Sequence, residues 1–174
     1  MRARMVGLVF VLGLVAVGMA VAGANRNWST HANGSQEVPV RDTNAQAQAI
    51  FHLSKDGTEL NYKLIAANIE NAFMAHIHIN SPRLNGPIAV WLYPSTTTTP
   101  GPTNAGRIDG VIAEGTITEA NLVGPLAGQP TLSGLVAALN GGTAYVNVHT
   151  SDGVAPADTG PGDFPGGEVR GDIS

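Results

Sequence analysis

Ala45-Gln46-Ala47-Gln48-Ala49-Ile50-Phe51-His52-Leu53 is the stretch that decides the fold. Ala45, Ala47, Ala49, Phe51 and Leu53 share one face, and Gln46, Gln48 and His52 share the other. Successive side chains of an extended chain point to opposite faces, so this alternation reads as a half-buried β-strand. Lys55-Asp56-Gly57-Thr58 follows as a hairpin turn, with Gly57 free to take a positive φ. Leu60, Tyr62 and Leu64 then mark the returning strand.

The same period recurs along the chain. In Ala72 to Asn80, the residues Ala75, Ile77 and Ile79 oppose His76, His78 and Asn80. Asn85-Gly86-Pro87 turns the chain into an apolar run from Ile88 to Tyr93, and Ile108 to Ile117 reads as a further strand. Leu132, Leu135, Val136 and Leu139 fall at helical spacing, and Asn140-Gly141-Gly142 ends that helix. Ala144 to Thr150 and Glu168 to Ile173 complete the strands. Two Gly- and Pro-rich loops, 94–106 and 151–167, are long for a compact domain, and such loops are often functional. Seven or eight short strands with one helical insertion predict an all-β fold: an antiparallel, Greek-key or immunoglobulin-like β-sandwich.

The N-terminus carries an address. Arg2 and Arg4 precede an apolar run from Met5 to Val21, and Ala22-Gly23-Ala24 is a small-residue cleavage signature. That order predicts a signal peptide over 1–24, cleaved after Ala24, and hence a secreted or periplasmic protein. No other segment is apolar enough to span a membrane, so no span is expected after cleavage. Residues 25–34 are expected to form an N-terminal extension carrying a mobile His31, and 35–174 the domain. Asn27-Trp28-Ser29 and Asn33-Gly34-Ser35 match the glycosylation sequon, which matters only in a host that modifies secreted chains.

Composition narrows the chemistry. The chain has 174 residues, no cysteine and a net charge of −4. Thiolate metal sites, thiol redox chemistry and cysteine nucleophiles are therefore excluded. Lys and Arg never cluster, so nucleic acid is not an expected partner. There is no G-x-S-x-G elbow and no phosphate-binding glycine loop. Asp152, Asp158 and Asp163 lack calcium-loop spacing and read as solvated, as does His52.

His76-Ile77-His78 is the sharpest feature. Histidines at i and i+2 of a strand point to one face, about 6.7 Å apart along it, and can converge on one ion. His149 ends another strand, with polar face-mates Asn147 and Tyr145. If the two strands are neighbours, three imidazoles meet. Without thiolates or clustered carboxylates, a histidine-only site leans to copper or zinc.

These residues also carry a resemblance. Gln36-Glu37-Val38-Pro39, Asp56 to Tyr62, Ala75-His76-Ile77-His78 with Asn85-Gly86-Pro87, Gly142 to Thr150, and Gly166 to Gly171 occur in order as in CHRD-domain proteins. The likeness runs from about Ser35 to the C-terminus; the family's double proline is here Pro39-Val40. The resemblance implies a Greek-key or immunoglobulin-like sandwich and an extracytoplasmic location. A fainter likeness is to copper–zinc superoxide dismutases. That pattern implies copper ligands at His76, His78 and His149, with Arg170 guiding an anion; Asn147, a face-mate of His149, is expected to support the ligands or the anion beside it. No histidine lies between His78 and His149, so that pattern's bridging ligand and zinc subsite are missing. Three functions follow: an exported non-catalytic binding module holding copper through the three histidines, a dismutase-like enzyme, or a metal-free module for a protein partner.

Overall fold

A computed structural model describes residues 25–174. The expected signal peptide, 1–24, lies outside the described residues. Eight strands form: β1 Asn27–Asn33, β2 Gln46–Leu53, β3 Leu60–Glu70, β4 Ala72–Ile79, β5 Ile88–Tyr93, β6 Arg107–Ile117, β7 Ala144–Thr150 and β8 Val169–Asp172. One α-helix, α1 (Ser133–Asn140), precedes β7 at the place the Leu132–Leu139 spacing predicts.

All pairings are antiparallel, as expected, and the fold is all-β and sandwich-like. Its two layers, however, are halves of one continuous sheet, ordered β5-β4-β7-β8-β1-β2-β3-β6. The sheet folds over until its ends meet. Leu122, just beyond β6, bridges Val90 in β5, and the Tyr62 hydroxyl of β3 donates to the Leu92 carbonyl of β5 at 2.6 Å. Phe51, Leu60, Leu64, Ile77, Leu92, Val146 and Val148 fill the space between, each fully buried.

The segment 25–34, read as an extension, is instead a strand inside the sheet. β1 pairs with β2 along its whole length and reaches β8 at Asn33–Arg170. Trp28, Thr30 and Ala32 are buried, while Asn27, Ser29 and His31 are exposed. His31 is therefore held in β1, not mobile. The alternation is real, but its inward face holds a threonine and a small alanine, so the apolar signal is weak.

Asn71 makes the sharp passage from β3 to β4, which lie apart in the sheet. Its φ is +54°, a conformation that asparagine tolerates better than most residues. Its N–H donates to the Gly106 carbonyl and its side chain accepts from the Gly106 N–H. Its amide donates to the Gly162 carbonyl, and its own carbonyl accepts from Ser151. One residue thus ties the two long loops to the end of β3. Asn71→Ala loses two side-chain hydrogen bonds and strains the backbone, so urea denaturation should show a loss of about 3 kcal/mol. Asn71→Gly keeps the φ and should lose about half of that. Equal stability of both variants with the parent would contradict this role.

Candidate metal centre

The core-facing residues of β7 are Ala144, Val146 and Val148. Tyr145, Asn147 and His149 point to the other face, which in an open sandwich would meet water. Here every residue of β7 is buried. Three loops, 34–43, 80–87 and 151–167, close over this outer face, and each contributes a polar group to it.

The β4–β7 pairing joins the histidines. Met74 lies opposite His149, His76 opposite Asn147, and His78 opposite Tyr145. His76, His78 and His149 are all buried, and one ring nitrogen of each lies within 4.8 Å of the others. His76 Nδ1 is 3.1 Å from His149 Nε2. Two nitrogens bound to one ion at about 2 Å, at a near-tetrahedral angle, would stand about 3.2 Å apart. The expected convergence of the three sequence-predicted histidines is therefore met in distance.

Two of the rings are fixed in one tautomer. His78 Nδ1 donates to the Gly86 carbonyl at 2.9 Å, and His149 Nδ1 donates to the Pro165 carbonyl at 2.9 Å. Each leaves Nε2 unprotonated, the arrangement metal-bound imidazoles use; that of His149 faces His76 Nδ1. His78 Nε2 and His76 Nε2 are buried without a protein partner. Gly86 can approach this closely only as glycine, because a Cβ there would overlap the Ile79 carbonyl. The Gly86 N–H in turn donates to the Tyr145 hydroxyl at 2.9 Å, so one peptide segment positions both rings.

A stack supports the cluster from one side. Tyr145 lies parallel to His78, with centroids 5.0 Å apart, and the Arg170 guanidinium sits 3.5 Å from the centre of the Tyr145 ring. Arg170 is 1% exposed and donates to Asp172 and to the Leu84 carbonyl. A guanidinium so enclosed does not face solvent. The anion-guiding role expected of Arg170 has no geometric basis, and the dismutase-like reading loses that part; Arg170 positions Tyr145 instead. Asn147 is 3% exposed beside His76, and its amide reaches Glu37 at 3.5 Å.

Sequence reasoning missed Glu37 and Trp91. Glu37, 4% exposed, sits in the loop after β1. Trp91 of β5 meets His76 edge-on, with centroids 4.2 Å apart. Its signal was hidden because Ile88 to Tyr93 is apolar on both faces. Asp158 is exposed and Asp152 half-buried, whereas Asp163, expected to be solvated, is 3% exposed and caps its own loop at Thr159.

Comparison with known proteins places the chain. A model of the CHRD domain matches residues 28–173. The chain belongs to the CHRD-domain family. The match starts at Trp28, inside β1, and runs through β8. No curated protein and no solved structure matches the chain. Among the described residues, no helix is long and apolar enough to cross a membrane.

Burial sets the charge of this CHRD site. It pushes the His76 imidazole down to about 2 and His149 down to about 4, with repulsion among the rings adding to it. His78 is lowered too, first by burial and then by Arg170, against the Gly86 hydrogen bond. Glu37 moves the other way, up to about 7, by burial against the pull of Arg170. Below about pH 6.5 the unfolded chain takes up protons on its histidines that the folded chain refuses. Their contribution is full above that pH and is lost as the pH falls towards 4. Glu37 opposes this between 4.5 and about 7, where the folded chain holds a proton the unfolded chain releases. Three imidazoles outweigh one carboxyl. The urea midpoint of metal-free protein should therefore fall from pH 7 to pH 4.5, more steeply in Glu37→Gln; a flat profile in both would contradict the buried, neutral cluster.

Proposed function

We propose that this CHRD domain is an exported, non-catalytic metal-binding module that holds copper through His76, His78 and His149. The observation that carries the reading is the meeting of three buried, neutral imidazoles with nitrogens within 4.8 Å, two of them oriented by backbone carbonyls. One internal pair forms, His76 Nδ1 with His149 Nε2 at 3.1 Å, yet His76 and His78 each keep an unpartnered buried Nε2. Unpaired buried polar atoms are costly and call for an explanation. An ion between the rings supplies one.

The donor set favours copper. It contains neither thiolate nor clustered carboxylate, and imidazole is a ligand type that suits copper. Export is supported by the signal-peptide pattern at 1–24 and fits a cysteine-free chain that needs no oxidising machinery. Gly86, Pro165 and Tyr145 hold the rings in place; Trp91 and the three loops keep water from them. Holding and shielding an ion needs no substrate pocket.

The test is copper titration of purified protein with a competing chelator. Wild type should bind one ion per chain, with tryptophan fluorescence quenched through Trp91, 4.2 Å from His76. His78→Ala and His149→Ala should weaken binding about a hundredfold or more, while His31→Ala and His52→Ala, at exposed positions, should leave it unchanged. Circular dichroism reports whether each variant folds. Binding that is absent in wild type, or equal in all four variants, would overturn the reading.

A further inference from the structure

We infer that the histidine cluster selects copper in its cuprous state, with Met74 adding a thioether donor beside the three imidazoles. The inference rests on the copper reading above and specifies which ion the site takes.

Charge is the first ground. All three candidate donors are imidazoles, which bind metal in the neutral form, and no carboxylate stands among the three histidines. The Arg170 guanidinium is stacked on Tyr145 and so stands behind His78. A buried ion must give up its water. The desolvation cost grows with the square of the charge, so a monovalent ion bears about a quarter of the cost of a divalent one. A buried, neutral, all-imidazole site next to a cation therefore discriminates against the divalent state.

Softness is the second. Met74 occupies β4 two residues before His76, on the face that carries His76 and His78, and it pairs directly with His149. Directly opposed residues on one sheet face have Cβ atoms about 5 Å apart. The methionine side chain has three rotatable bonds and a polarisable sulfur, so it can reach towards its neighbour's ring nitrogen. Thioether sulfur selects the cuprous ion, whereas Cu(II) and Zn(II) prefer nitrogen, oxygen and water. Met74 is half-buried, so its sulfur is partly withdrawn from solvent.

Enclosure is the third. His76 is 0% exposed and Trp91 leans against it, with ring planes 82° apart. Cu(II) favours a tetragonal shell that usually includes water. The indole instead fills the space beside His76 with apolar surface and leaves less room for water.

The experiment measures three ions on wild type and Met74→Leu. Cu(I) is titrated anaerobically against a cuprous chelator, Cu(II) without reductant, and Zn(II) as the control. Met and Leu are close in volume, so the substitution keeps the fold. Wild type should bind Cu(I) more tightly than Cu(II) or Zn(II). Met74→Leu should weaken Cu(I) about tenfold or more, leave Cu(II) and Zn(II) within about threefold, and remove a sulfur scatterer from the X-ray absorption spectrum. A wild type that prefers Cu(II), or a Met74→Leu variant with unchanged Cu(I) affinity, overturns this inference while leaving the copper reading intact. Wild type that binds copper in neither state overturns both.

Discussion

The outer face of β7 carries Tyr145, Asn147 and His149, and three loops close over it. Polar side chains on a sheet's outer face normally meet water. Here they are withdrawn from it, so each must find a partner in the protein or remain unpaired. Backbone carbonyls at Gly86 and Pro165 answer for His78 and His149. They accept one hydrogen bond from each ring and leave the opposite nitrogen unprotonated. The rest of the site follows: neutral rings, fixed tautomers and lone pairs turned to a common point.

The loops can hold this arrangement because they are anchored away from it. Asn71 links the 94–106 and 151–167 loops to the passage between β3 and β4. The Glu168 carboxylate, fully buried, accepts from Thr43, Thr150 and the Gly162 N–H. Arg41 pairs with Asp158 at 2.9 Å and lies over the Phe164 ring, joining the 34–43 loop to the 151–167 loop. Gly167 allows the close approach at the centre. A Cβ there would stand 2.6 Å from the Asn147 amide and 2.8 Å from a Glu37 oxygen, at a φ of +125° that other residues avoid. Length in the 151–167 loop thus serves to deliver the Pro165 carbonyl to His149.

Much of this was legible in the residues. Period-two alternation in Ala45–Leu53 located β2, and helical spacing located α1, because both signals come from one apolar face against one polar face. His76 and His78 had to share a face by strand geometry alone. Their meeting with His149 depended on β4 lying beside β7, a long-range pairing that no local pattern encodes. β1 escaped notice because Thr30 is buried where an apolar residue was expected. Arg170 was misjudged for a related reason. Its type suggests a solvent-facing cation, while its burial comes from the tertiary stacking of Tyr145 and the 80–87 loop. Glu37 and Trp91 joined the site from a loop and an edge strand, with no spacing to link them to the histidines.

Neutral imidazoles pinned by carbonyls are what the metal reading needs, and histidine-selective ¹H–¹⁵N NMR observes them directly. The account predicts that His78 and His149 show a protonated Nδ1 and an unprotonated Nε2 at about pH 7, that both titrate below the ordinary imidazole range, and that the Nε2 signals shift when Cu(I) is added. Rings that titrate freely near pH 6.5, with Nε2 signals unmoved by the metal, would contradict it.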